Sequence, residues 1–319
     1  MSNQILAHFS DIHFHNFAQY NINKIDRLEI CGKALYRLMK LCNKNGIDTI
    51  LFEGDWYEQP RAIPTKVVNY SIYLLKKLEE LFPKIKIYAI TGNHDYATKN
   101  LYEKPGISAL KHLEDACENF QILDNTYIDF PNITTRIHGI PYYDYAEHFD
   151  KALDDCIKNV ERGYHNLLMI HQNPYMNDIM PFEIRPDDPR LKNFDHVFCG
   201  HIHWHQRMND LFTIVGPPLH KDADDVGKDM GYLFYDVHAK DYKRISNKGK
   251  FPEFIEGEEQ NDGNYYLSKT KVDEEQFDGD AKMDDYGTHL KPEIIVENYW
   301  KEIKGEDKDL LKTGLKLLK

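Results

Sequence analysis

The chain has 319 residues, 29% of them charged and 41% hydrophobic, and a formal net charge of −12. This is a globular composition, which excludes collagenous, fully disordered and disulfide-stapled architectures. No apolar run reaches about 18 residues, so no transmembrane helix is expected, and an acidic chain is a poor unaided binder of nucleic acid.

Residues 5–9 form a short apolar run that ends at Ser10-Asp11. Residues 49–52 repeat the shape and end at Glu53-Gly54-Asp55, and residues 85–90 end at Thr91-Gly92-Asn93-His94-Asp95. Residues 167–170 end at His171, and residues 196–199 end at Gly200-His201. Runs this short suit strands buried on both faces. Polar residues at the C-terminal ends of such strands are the signature of an open α/β sheet. Between the runs, apolar residues at spacings of three and four predict helices over 25–42, 67–81 and 150–160. The alternation predicts an α/β fold of two packed mixed sheets flanked by helices, with further strands over 212–215 and 231–237.

After residue 247 the character changes. Residues 253–285 carry twelve acids against three lysines. Residues 248–290 therefore read as an acidic flexible linker or small cap remnant, with a short strand around 265–267. Ile295, Tyr299 and Ile303 recur at helical spacing, and Asp309 can cap a last helix. Residues 291–319 are expected to be helices that dock a partner. The five cysteines (Cys31, Cys42, Cys117, Cys156, Cys199) are odd in number and lack CxxC spacing. They read as reduced packing residues, and with no secretory signal in the first residues a cytoplasmic location is expected. His8, inside the first run, reads as a core residue.

The chemistry lies in five separated pieces: Asp11-Ile12-His13, Gly54-Asp55, Gly92-Asn93-His94-Asp95, His171, and Gly200-His201-Ile202-His203. On extended backbone both DxH and HxH would project two side chains to one side. A glycine before Asp55, Asn93 and His201 offers backbone angles that other residues resist. Asp11, His13, Asp55, Asn93, His171, His201 and His203 make seven oxygen and imidazole ligands. Seven over-fill one ion but suit two, bridged by a carboxylate and roughly 3.5–4 Å apart, a pair that can clamp a phosphate. Nitrogen and oxygen ligands suit Mn²⁺, Fe²⁺ or Zn²⁺.

The ordered series DIH, GD, GNHD, H, GHIH resembles the calcineurin-like metallophosphoesterases over residues 1–240. Within them it is most similar to SbcD-type nuclease subunits of SbcCD-type DNA repair exonucleases, including phage recombination endonuclease subunits. Gln206 after the last motif, Gly216-Pro217-Pro218, the strand from Met230 and the tail after a linker support the narrower likeness. The resemblance implies that residues 1–247 are the nuclease domain. It implies one ion on Asp11, His13 and His203, a second on Asn93, His171 and His201, and Asp55 bridging them. It further implies that His94 stands over the scissile phosphate, and Asp95 is expected to orient it. Two Mn²⁺ ions, DNA as substrate, 3′ to 5′ exonuclease and endonuclease action, an SbcC-like ATPase gripping the tail, and a homodimer through 25–42 are implied likewise. The family often has His or Asp a few residues after the bridging aspartate, where this chain has Glu58, a structural or a tuning residue. A small-molecule phosphodiesterase or phosphatase of the same fold, and a non-catalytic scaffold, are the alternatives.

Overall fold

A computed structural model describes residues 4–17, 20, 26–59, 62–176, 183–256 and 264–267. The helices expected over 291–319 and most of the expected linker lie outside the described residues. In chain order come β1 (Ile5–Phe9), α1 (Arg27–Asn45), β2 (Thr49–Phe52), α2 (Thr65–Leu81), β3 (Lys86–Ala89), α3 (Lys111–Ala116) and β4 (Phe120–Ile122). Next are β5 (Thr126–Phe130), β6 (Thr135–Ile140), α4 (Ala146–Ile157), β7 (His165–Ile170), β8 (His196–Cys199), β9 (Gln206–Arg207) and β10 (Phe212–Ile214). Last are β11 (Gly231–Asp236), β12 (Asp241–Ser246), β13 (Phe254–Glu256) and β14 (Tyr265–Leu267).

Two six-stranded sheets result, ordered β12-β11-β1-β2-β3-β4 and β5-β6-β7-β8-β10-β9, and β13 pairs with β14 apart from them. β1 through β4 run parallel, and β11 joins the free edge of β1 antiparallel. In the second sheet β6, β7, β8 and β10 run parallel, with β5 and β9 antiparallel at the edges. The two-mixed-sheet fold expected from the sequence is therefore the one observed.

Strand alternation explains the layers. Ala7 and Phe9 face outward and pack with Leu28, Leu35 and Leu38 of α1 and Leu74 and Leu78 of α2. Leu6 faces inward and meets Leu51, Ile137, Leu167, Phe198 and Tyr235 between the sheets. Phe149 and Leu153 of α4 cover the outer face of the second sheet. Asp26 caps α1 by accepting from the Leu28 N–H, and Gly46 ends it at φ 70°.

Polar residues also enter the layer between the sheets. His8 Nδ1 lies 2.7 Å from Glu53 Oε1, and both side chains are fully buried. Burial pushes His8 down and Glu53 up, so the two form a neutral hydrogen-bonded pair, and His8 is a core residue as expected. His196 lies 2.9 Å from Thr213 Oγ1, and burial, aided by Arg207 and His165, pushes it down to about 4. Its folded-state value lies below its unfolded one, so the unfolded chain takes the proton first and stability falls as pH drops below about 6.5. Wild type should therefore lose about 2 kcal/mol relative to His196→Gln between about pH 7 and about pH 5. Urea unfolding of both proteins at the two pH values checks this; parallel pH profiles would refute it.

Candidate metal centre

The five polar pieces meet where β1, β2, β3, β7 and β8 end, at one rim of the sandwich. The chain leaving β1 is stitched to the chain leaving β2: Asp11 N–H donates to Gly54 O, His13 N–H to Asp55 O and Phe14 N–H to Trp56 O, at 2.9, 3.1 and 2.7 Å. This pairing does not continue the strand. Asp11, His13 and Asp55 have φ of 52°, 50° and 62°, and His201 has φ 82°. The expected extended DxH and HxH geometry is thus corrected. The ligand candidates themselves take the left-handed region, at about 1–3 kcal/mol each, which the surrounding hydrogen bonds must offset.

The glycines differ from expectation too. Gly54 has φ +88°, but Gly92 lies at φ −87°. A Cβ on Gly92 would stand 2.1 Å from Asp55 Oδ1, and one on Gly200 would stand 2.1 Å from Glu53 O. At these two positions glycine is required by close approach rather than by backbone angle.

All seven expected ligands converge. Asp11, His13, Asp55 and His171 form a buried floor, while Asn93, His201 and His203 form a half-buried rim. His13 Nε2 and His203 Nε2 are 3.1 Å apart, with Asp11 Oδ1 4.0 and 3.9 Å from them. On the other side His171 Nε2 and His201 Nδ1 lie 3.1 and 3.0 Å from Asn93 Oδ1. Asp55 Oδ2 lies between the groups, 3.7 Å from His13 Nε2 and 3.3 Å from His171 Nε2. Asp11–His13–His203 and Asp55–His171–His201 are each close enough to hold one ion, and His13, Glu58 and His94 form a third close group beside them.

The donor chemistry fits divalent cations. Burial and neighbouring histidines push His201 down to about 4 and His203 to about 2, leaving neutral imidazoles whose lone pairs are free to ligate. Burial resists charge on His171, but Asp55 outweighs it and lifts His171 to about 9. Asp55 itself is held well below the usual carboxylate range, because His171, His13 and His94 outweigh its burial. A buried carboxylate that gathers positive charge in this way is a cation site.

Surrounding hydrogen bonds set the ligands' orientation. His171 Nδ1–H donates to Glu53 O at 2.6 Å, which leaves Nε2 as the ligating atom. Asp11 accepts from the His201 N–H, and Asp55 Oδ1 accepts from the His94 N–H at 2.8 Å.

His94 stands edge-on to His13, with ring centres 4.9 Å apart. Its Nδ1–H donates to the Glu58 carbonyl at 2.7 Å. Asp95, expected to orient His94, does not touch it. Its buried carboxylate accepts instead from the N–H groups of Asp55, Trp56, Tyr57 and Gly92 at 2.9–3.2 Å. Asp95 therefore shapes the loop that carries Asp55, and a main-chain carbonyl positions His94.

Glu58 gains a role that its place in the sequence left open. Its Oε2 lies 2.8 Å from His13 Nδ1 and 3.3 Å from Lys221 Nζ. Burial opposes its charge, but His13 and Lys221 outweigh that and hold the carboxyl at about 2. The carboxylate favours a proton on His13 Nδ1 by charge, leaving Nε2 toward Asp11 and His203, although the two close atoms are not aligned for a hydrogen bond. The only sequence signal for this contact was the departure at residue 58 itself. Glu58→Ala should weaken metal binding roughly 10–100-fold, with Glu58→Gln intermediate. Calorimetric titration with Mn²⁺ reads this, and unchanged affinity in both variants would refute it.

The signature of the calcineurin-like phosphoesterases matches residues 6–205, from β1 to just past His203. The chain is 26% identical over 200 residues to the uncharacterized metallophosphoesterase YkoQ of Bacillus subtilis (strain 168), covering 62% of this chain and 60% of that protein. It thus spans less than two thirds of the Bacillus protein. It is also 22% identical over 288 residues to exonuclease subunit 1 of Enterobacteria phage T4, covering 88% of this chain and 74% of that one. Among solved structures, the TT1561 protein of Thermus thermophilus aligns with a TM-score of 0.49 and 12% identity, over 76% of this chain and 99% of that one. The matched signature takes in more than half of the chain and encloses both ligand groups, so the chain belongs to the calcineurin-like phosphoesterase family.

Proposed function

We propose that the chain is a Mn²⁺-dependent DNA phosphodiesterase, the nuclease subunit of an SbcCD-like repair and recombination complex. The observation that carries phosphodiester hydrolysis is Asp55 Oδ2, set between His13 Nε2 and His171 Nε2 at the junction of two ligand groups. A nuclease role is supported by the phage exonuclease subunit, whose similarity runs past the matched signature to 88% of this chain, and DNA is the substrate that the SbcD-type resemblance implies. When bound, two divalent ions supply Lewis acidity toward a phosphoryl oxygen and lower the pKa of water. Mn²⁺ is the choice that the SbcD-type resemblance implies, and the mixed imidazole and carboxylate ligands are compatible with it.

The chain's own residues do the rest. The buried floor holds charge away from solvent, where its interactions are strong. The half-buried rim, with Asn93, His94, His201 and His203, is the side open to a phosphodiester. Since His94 Nδ1–H is committed to the Glu58 carbonyl, Nε2 is the atom that would hand a proton to the departing sugar oxygen, from the doubly protonated ring, which returns to the neutral Nδ1–H form. DNA affinity must come from beyond this acidic chain, and an SbcC-like ATPase bound by residues 291–319 is the proposed source. The homodimer is retained as a proposal, but not through the apolar stripe of α1, since Leu28, Leu35 and Leu38 pack inside the chain. Among the described residues no helix is long and apolar enough to cross a membrane.

The test is cleavage of end-labelled single-stranded and duplex DNA in Mn²⁺, beside nucleoside monophosphates and cyclic nucleotides. Labelled fragments from DNA are the expected result. Fast turnover of the small substrates with intact DNA would instead establish a small-molecule phosphodiesterase or phosphatase.

A further inference from the structure

Away from the metal centre, a cavity of about 340 Å³ opens between the β5–β6 hairpin, the chain after β6 and α4. That volume lies at the lower end of the range for small-ligand sites. Its walls include Tyr102, Tyr127, Tyr143, His138, Asn125 and Cys156.

The aromatic walls are held in place. The Tyr102 hydroxyl donates to Asp155, and Asn125 Nδ2 donates to the Tyr143 hydroxyl at 2.8 Å. The Arg136 guanidinium sits 4.0 Å from the centre of the Tyr127 ring and is itself held by Asp129 through two hydrogen bonds. Rings fixed in this way do not collapse into the space between them, so the site is built before any ligand arrives.

Polar capacity remains in the wall. His138 is fully buried, and its Nε2–H donates to Asn166 Oδ1 at 3.2 Å. Its Nδ1 has no hydrogen-bond partner but no accessible surface either, so the polar groups within a ligand's reach are those of Asn125, Thr126 and Asn159. No lysine or arginine lines the cavity, and its one carboxylate, on Asp155, is paired with Lys158. Aromatic walls with amide and hydroxyl groups between them suit a flat, uncharged ring that carries N–H donors and ring acceptors.

We infer that this cavity binds a nucleobase, by stacking on its tyrosines and by hydrogen bonds to its polar wall. The ring could come from a free nucleoside or from a nucleotide released by hydrolysis, and both present the same chemistry here. The site is independent of the metal centre. One chain segment borders both sites: Tyr143 lines the cavity, while Tyr142 lies with its ring 6.0 Å from that of His201.

The test is calorimetric titration of the full chain, in EDTA, with adenosine, with dAMP and with deoxyribose as the base-free control. Adenosine and dAMP should bind saturably with Kd below about 1 mM, and deoxyribose should not. Tyr127 is 39% exposed, so Tyr127→Ala should fold as wild type does; Cys156→Phe places a side chain in the cavity instead. A loss of tenfold or more in either variant that keeps the wild-type melting temperature supports the site. The inference is overturned if adenosine fails to bind, if dAMP alone binds, or if neither variant weakens binding.

Discussion

Asp55→Asn is expected to lower phosphodiester turnover by about a thousandfold or more, and to reduce the metal held per chain. The scale follows from removing one preorganised electrostatic group at a reacting centre, about 100–1000-fold for a single neutral donor. Asp55 exceeds that case because it carries a full charge and faces two ligand groups at once. The substitution is also clean. Asparagine keeps an Oδ1 to accept from the His94 N–H, and the Asp95 contacts to the loop are made by backbone. What disappears is the charge at the atom 3.3 Å from His171 and 3.7 Å from His13. His171, no longer raised by that carboxylate, should then titrate lower. Elemental analysis and turnover on the same preparation give the result. Two ions per chain with turnover within tenfold of wild type would remove Asp55 from the centre of the site.

The ligand positions were legible in the sequence for a physical reason. The strands before them are buried on both faces, so they read as short apolar runs, and the loops after them carry the polar residues that a sheet interior cannot hold. β6 was not legible by the same rule, although it is buried along its whole length. It reads Thr-Arg-Ile-His-Gly-Ile, and its arginine and histidine side chains find partners on the two neighbouring strands, β5 and β7. Arg136 pairs with Asp129, and His138 bonds to Asn166. Periodicity cannot register a buried arginine whose counter-charge lies on the next strand.

The backbone of the site was hidden for a related reason. Motif spacing suggests extended chain, yet Asp11, His13, Asp55 and His201 all take positive φ. At Asp11, His13 and Asp55 that conformation accompanies pairing between the loops after β1 and β2, and at His201 an N–H bond to the Asp11 carboxylate, which is tertiary information. The same holds for the atoms that orient the imidazoles. Glu58 offers its carboxylate to His13 and its carbonyl to His94, so one residue serves two rings by two different groups. Side-chain chemistry alone pointed to Asp95 for His94 and could not reveal a main-chain acceptor.

His94→Ala should separate the chemistry of the leaving group from the rest of the site. His94 lies outside the Asp11–His13–His203 and Asp55–His171–His201 groups, although it forms a third close group with His13 and Glu58, so both ions are expected to remain bound and metal content is the check. A positioned general acid typically contributes about 100–10,000-fold, so cleavage of DNA, with its poor alkoxide leaving group, should fall by about that factor. A nitrophenyl phosphodiester departs as a stable anion and needs no proton in the transition state. On that substrate the same variant should lose less than about tenfold. The two substrates share the attacking water and the ligands, so the difference between their losses isolates proton donation from Nε2. Equal losses on both, with metal content unchanged, would make His94 a phosphate-binding group rather than an acid. Equal losses with one ion missing would make it a ligand. The main-chain bond from Nδ1 to Glu58 favours the acid, because it holds the ring beside the ligands and leaves its outer nitrogen for the substrate.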